Sequence, residues 1–184
     1  MNPAKRLGTV LFAVVLWSCA ATLPYATDYP LSGELFHSND GVLTGSVPRG
    51  WFASTDDSVD ASLSAWLIKQ DFSAVLLIRE LSLDRETIRN VDKEGITYLA
   101  TTSAGLHITA AREPVIDLQE FELHRVRFCG YEVPGSAGRI RVVVFEVRGK
   151  YYECEARPVK GAWSGDELKR MFTAQQSVLA SLTY

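Results

Sequence analysis

The stretch Phe121–Arg157, FELHRVRFCGYEVPGSAGRIRVVVFEVRGKYYECEAR, decides the fold. It contains three runs rich in β-branched and aromatic residues: Phe121–Cys129, Arg139–Arg148 and Tyr151–Arg157. Such residues fit a pleated, half-buried surface. Pro134-Gly135-Ser136-Ala137-Gly138 is loop material between the first two runs, and Arg148-Gly149-Lys150 links the second and third. Connections this short join antiparallel neighbours, so the stretch predicts a three-stranded meander.

Directly after it comes Ser164-Gly165-Asp166-Glu167. A Ser followed three residues later by Glu is a capping box, in which each side chain satisfies a backbone N–H of the first turn. Leu168, Met171, Phe172, Val178, Leu179 and Leu182 then recur at helical spacing, which predicts an amphipathic helix lying on a sheet.

On the N-terminal side, Asp84 is a helix cap and Glu86 sits near the positive end of the helix dipole. Ile88, Val91, Leu99, Thr102 and Leu106 form an apolar stripe, and Pro114 ends any continuation. Gly95 interrupts that stripe at a cost of about 1 kcal/mol relative to Ala, which predicts a kink or break. Four short strands precede this segment: Glu34–His37, Val42–Val47, Trp51–Ser54 and Ser73–Leu81. Asn39-Asp40-Gly41 is a hairpin signal between the first two. Ser73–Leu81 is continuously apolar in its middle, as a central strand covered on both faces should be. Asp60–Gln70 reads as a short helical or irregular crossing. The order of strands, helix, three strands and helix predicts an α+β domain with a single antiparallel β-sheet flanked by helices.

This element order, the Pro48-Arg49-Gly50-Trp51-Phe52 turn and the capped final helix resemble the PsbP-like fold over Leu43–Leu182. That fold is an α/β/α sandwich shared by extrinsic photosystem proteins and a yeast Ran-binding protein. The resemblance implies a binding or assembly factor rather than an enzyme. It transfers no functional residue.

The N-terminus predicts a leader. Lys5 and Arg6 precede the apolar run Leu7–Trp17, which at eleven residues is too short to span a bilayer and fits the apolar region of a secretory signal. Leu16-Trp17-Ser18-Cys19 resembles the lipobox of bacterial lipoproteins. That resemblance implies cleavage before Cys19, lipid on its sulfur and a third acyl chain on its amine. Two or more chains anchor stably where one does not. Trp17 departs from the small residue usual at its position, so the alternative is an ordinary cut after Ser18-Cys19-Ala20 and a soluble secreted form. Ala20, rather than Asp, follows the Cys, which points to the outer membrane on its periplasmic side. The expected organisation is a leader at 1–18, a tether at 19–31 (Pro24 and Pro30, no periodicity) and one domain at 32–184.

Charge excludes some partners. The net charge is −3, and loss of Lys5 and Arg6 leaves 17 basic residues against 22 acidic, or −5. Nucleic acid and anionic headgroups are therefore not expected as main partners.

The residues show no catalytic constellation. Ser136 lies in a strand-to-strand loop preceded by Pro134, unlike a nucleophile elbow, which joins strand to helix. His37, His107 and His124 lack the local ligand pairs of a metal site. Asp56, Asp57 and Asp60 lack the Gly and Glu spacing of a calcium loop, with Ala61 and Leu67 at the sixth and twelfth positions. No cofactor is expected. An oxidising compartment favours a Cys129–Cys154 disulfide. The meander opposes it by placing Cys154 opposite Val144 and Cys129 opposite about Val142. The middle strand then holds them roughly 9–10 Å apart, beyond the ~7 Å reach of a bridge, unless a bulge forms near Cys129-Gly130.

One candidate binding feature remains. Arg125, Arg127, Arg139 and Arg141 alternate with apolar neighbours and would form a basic stripe for an acidic partner surface or an anionic ligand. The competing reading is a solvated sheet face in which Glu122, Glu146, Glu153 and Glu155 offset them. Together these features point to a lipid-anchored, non-enzymatic periplasmic module that binds a protein. The alternative is a small-ligand carrier or an enzyme with a site built from distant residues.

Overall fold

The computed structural model describes residues 23–54, 62–107 and 117–184. Nine strands and three helices follow in the order β1 (Leu31–His37), β2 (Thr44–Pro48), β3 (Trp51–Ser54), β4 (Leu63–Lys69), β5 (Ala74–Glu80), α1 (Arg85–Glu94), α2 (Ile96–His107), β6 (Gln119–Leu123), β7 (Val126–Gly135), β8 (Gly138–Val147), β9 (Lys150–Pro158) and α3 (Gly165–Ser181). The class is α+β and the strands pair antiparallel, as expected. The expectation of one sheet needs correction. β3-β4-β5-β9-β8-β7-β6 form a seven-stranded sheet, and β1 and β2 form a second, two-stranded one.

The large sheet is covered on both faces. On one face, Met171, Phe172, Val178 and Leu179 of α3, with Phe36 and Val47 of the small sheet, pack on Leu67, Leu76, Val143 and Phe145. On the other, Val91, Ile96, Leu99 and Ala104 of α1 and α2 pack on Cys129, Tyr131, Val142 and Val144. β5 is an interior strand buried on both faces, with Leu76 and Ile78 on one side and Val75 and Leu77 on the other.

Both helix starts form as read. Asp84 caps α1 by accepting from the Thr87 N–H at 2.7 Å. The capping box closes at α3: the Ser164 N–H donates to Glu167 Oε2 at 2.8 Å, and the Glu167 N–H donates to Ser164 Oγ at 3.3 Å. Gly95 is a full break. It takes φ 84°, a left-handed value open to Gly, and ends α1 by donating to the Val91 carbonyl. The break resets the helical phase, so α2 buries Ile96, Leu99, Ala100, Ser103 and Ala104. Thr102 and Leu106, expected on the buried stripe, are exposed, Leu106 by 77%.

Three local readings are corrected. Asp60–Gln70 is not a helical crossing, because its described part holds β4, buried on both faces and so without alternation. Phe121–Cys129 is not one strand but the hairpin β6-β7, turning at His124 and Arg125. Both turn residues have positive φ (50° and 69°), the conformation of a two-residue hairpin turn, reached here without Gly or Asn. His124 is thus a turn residue rather than a strand residue. Finally, the β8-β9 register pairs Cys154 with Val143, and β7-β8 pairs Cys129 with Val144. Each is displaced from the expected partner, yet β8 still separates the cysteines and both are free.

The residues expected to form a tether belong in part to the fold. The Tyr25 ring packs edge-on against Phe172, and its hydroxyl donates to Glu132. The Tyr29 N–H donates to Ser177 Oγ of α3 at 3.1 Å. Cys19, the leader and the three aspartates at 56, 57 and 60 lie outside the described residues.

Candidate functional site

The four arginines read as one stripe are divided between two faces. The β6-β7 turn places Arg125 near Arg127 in a cavity of about 340 Å³ against Asp92 and Gly95, at the α1–α2 junction. Arg139 and Arg141 lie on the α3 side. Arg139 is mostly exposed and pairs with Glu132 at 3.1 Å. Arg141 is 1% exposed. Its Nη1 and Nη2 donate to Gln175 Oε1 and Gln176 Oε1, both at 2.8 Å, and the guanidinium lies 4.7 Å from the Tyr25 ring centre. Burial pushes its pKa down to about 10. An arginine enclosed in this way holds the N-terminal segment and α3 on the sheet and is closed to a partner.

A second polar cluster lies beside α2. Ser103 donates to Glu153 Oε2 at 3.0 Å and shares a 2.7 Å hydrogen bond with the Tyr131 hydroxyl. His107 Nε2 lies 3.5 Å from Glu153 Oε2. The hydrogen bond with Glu153 raises the His107 pKa against the effect of burial. Burial opposes ionisation of Glu153, but His107, Ser103 and Arg79 outweigh it and depress its pKa. Serine, histidine and glutamate meet here in the wrong order for nucleophilic catalysis. Ser103 is buried and bonds to the carboxylate, whereas an activated serine bonds to the imidazole. His107, Glu153 and Glu155 could each turn one ligand atom towards a metal, all within 4.8 Å of one another. Arg79 Nη1, however, stands 3.5 Å from Glu153 and 3.1 Å from Glu155, and Arg157 Nε stands 3.5 Å from Glu155. Two guanidinium groups already balance two carboxylates, so the charge fits an ion-pair network and not a cation site. No local sequence pattern marks this cluster, because its members come from α2, β5, β7 and β9.

The third site is open. A cleft of about 480 Å³ lies between the start of α3, the loop that follows β9 and the adjoining ends of β3, β4 and β5. Tyr29, Trp51 and Trp163 supply aromatic surface. The Trp51 indole N–H donates to the Tyr29 hydroxyl at 3.3 Å, and that hydroxyl donates to the Arg49 carbonyl at 3.3 Å. The Trp163 indole N–H donates to the Lys160 carbonyl at 3.0 Å, closing the loop through Gly161 at φ 87°. Lys69, Lys160 and Arg170 supply positive charge. Lys69 Nζ lies 5.3 Å from the Trp163 ring centre, and the Arg170 guanidinium 5.9 Å from that of Tyr29.

The acids of the cleft are already engaged. Asp71 accepts from Lys69 Nζ at 2.8 Å and from the Ser73 N–H at 2.9 Å, which holds its carboxyl well below the usual range. Glu167 is held by the capping box, and the Ser164 backbone N–H lowers its pKa. Among the described residues no carboxylate lies within ion-pair distance of Lys160 or Arg170. The cleft therefore presents aromatic rings, two cations without an ion-pair partner among the described residues, and the Ser73 hydroxyl, which donates to Asp71 and accepts from Lys69 Nζ at 3.1 Å. Its parts come from five separate segments, so no sequence motif announced it.

Comparison with known proteins identifies the fold. No protein-family model matches the chain, and a search of curated proteins finds no match. Among solved structures, the chain is similar to the Saccharomyces cerevisiae Ran-binding protein Mog1p at 12% identity, covering 83% of this chain and 95% of that one, with a TM-score of 0.53. A mutant of Mog1 aligns at 12% identity over 83% and 96%, with a TM-score of 0.54. The solution structure of cyanobacterial PsbP from Synechocystis sp. PCC 6803 aligns at 11% identity over 82% and 91%, with a TM-score of 0.49. The chain has the fold of Mog1p, as the expected PsbP-like sandwich requires.

Proposed function

We propose that this protein is a non-enzymatic, protein-binding accessory domain, held by lipid on Cys19 at the periplasmic side of a bacterial envelope membrane, the outer membrane in preference to the inner. The observation that carries the protein-binding part is the composition of the open cleft. Trp, Tyr and Arg dominate the binding energy of protein interfaces, and Trp51, Trp163, Tyr29 and Arg170 converge here. The shared fold supports this reading, since a solved protein of the same fold is a Ran-binding protein.

The anchoring part rests on the lipobox-like Leu16-Trp17-Ser18-Cys19. Tyr25 is seated on the domain, so five residues separate it from Cys19, and the six Cα-to-Cα steps span at most about 20 Å. The domain would therefore work close to the bilayer. Intact mass of the mature chain tests the anchor: acyl mass on a chain beginning at Cys19 supports it, and an unmodified chain beginning at Ala21 contradicts it. Photo-crosslinking from Ala162, an exposed residue of the cleft, tests the protein-binding part independently.

A further inference from the structure

We infer that the occupant of the cleft is an acidic segment of a partner protein that carries an apolar side chain between its carboxylates. This rests on the protein-binding reading and adds the chemistry of the partner. Three observations on the cleft point to it.

The first is charge. Lys160 stands on the loop wall and Arg170 on the helix wall, and neither has a carboxylate within ion-pair distance among the described residues. The local excess is positive on a chain whose net charge is −3. An acidic partner would be drawn to this spot and repelled by most of the remaining surface.

The second is the aromatic lining. Tyr29 and Trp163 are half-buried, with part of each ring open. An apolar side chain entering between them gains burial without leaving a polar group unpaired, since both indole N–H groups of the cleft are already bonded.

The third is the count of cations. Two uncompensated charges are few for a nucleic-acid backbone, whose binding depends on many phosphate contacts.

The test uses the full-length protein purified in nonionic detergent and a fluorescein-labelled peptide, Asp-Glu-Phe-Asp-Glu-Leu-Glu, followed by anisotropy. The controls are the same peptide with Asn and Gln in place of the acids, its Lys-substituted counterpart, and vesicles of phosphatidylglycerol. Saturable binding of the acidic peptide that weakens between about 50 and 200 mM salt is expected. Lys160→Glu with Arg170→Glu should weaken it by at least about tenfold and allow the Lys-substituted peptide to bind. Lys160→Gln, a change at an exposed loop position, should weaken it by a smaller factor with an unchanged melting temperature. Equal binding of the neutral peptide, no effect of charge reversal, or binding of vesicles without binding of the peptide would each overturn the inference. If the Ala162 crosslink to a protein persists while the acidic peptide fails, the partner chemistry is wrong and the protein-binding reading stands. Loss of both overturns both.

Discussion

Cys129 and Cys154 lie on the two strands that flank β8, and they face opposite sides of the sheet. Cys129 packs with α1 and α2, whereas Cys154 packs beneath α3. Burial pushes both thiols up to about 12. A thiol this hard to ionise is a poor nucleophile, and the sheet itself stands between the two sulfurs.

The first prediction concerns redox state. Neither Cys129 nor Cys154 should react with a thiol reagent in the native protein, and both should react after denaturation without reductant. Peptide mapping that finds the pair linked in unreduced protein would mean the β7-β8-β9 order is wrong.

A second prediction concerns the enclosed arginine. Gln175 accepts from Arg141 and donates to the Cys154 carbonyl at 2.7 Å. Gln175→Ala should destabilise the domain by roughly 2–4 kcal/mol in urea melts, because a buried charge loses a partner and a backbone carbonyl loses its donor. Combined with Arg141→Met, the cost should be less than the sum of the two single changes by about 0.5–3 kcal/mol. Strict additivity would show that the pair does not interact.

At the start of α3, Ser164→Ala removes the acceptor for the Glu167 N–H. The expected loss is about 0.5–2 kcal/mol, read as a lowered melting temperature. Ser164→Asp should restore most of it, and a melt unchanged by the alanine would place the helix start elsewhere.

The fourth prediction is a pH dependence. His107 faces Glu153 and Glu155 on β9, Arg79 on β5, Tyr131 on β7 and Ser103 on its own helix. Its pKa is raised in the fold, first by the Glu153 hydrogen bond. The stability it adds is therefore full below its unfolded value of about 6.5 and is lost as pH rises through the folded value. Glu153 is depressed, so its own contribution holds above about pH 4.3 and falls away only in acid. His107→Gln should flatten the melting temperature measured above about pH 6.5 and also weaken the acid limb, because His107 is the first of the groups that depress Glu153. A wild-type melt that is flat from pH 6 to 8 would contradict the pairing.

How much of this was legible depended on whether the controlling contacts were local. Asp84, Gly95, Ser164 and the Asn39-Asp40-Gly41 turn act within a few residues, and each formed as read. The β6-β7 turn was missed because His124 and Arg125 take positive φ without the Gly or Asn that usually marks such a turn. β4 was missed because a strand buried on both faces loses its alternation. The arginine stripe failed for a related reason: once a hairpin intervenes, spacing along the chain no longer tells which face a residue takes. Arg141 is exposed in any reading of β8 alone and becomes buried only when α3 delivers Gln175 and Gln176. The cleft depends on segments up to about 140 residues apart, Tyr29 to Arg170, which no local pattern records.

The most direct measurement of the central claim is photo-crosslinking in intact envelopes, with a photoreactive residue at Ala162 in the cleft and, as control, at Leu106 on the exposed side of α2. The account predicts a discrete protein adduct from position 162 that weakens when Trp163→Ala is added, and none from position 106. No adduct from position 162, or equal adducts from both positions, would contradict it.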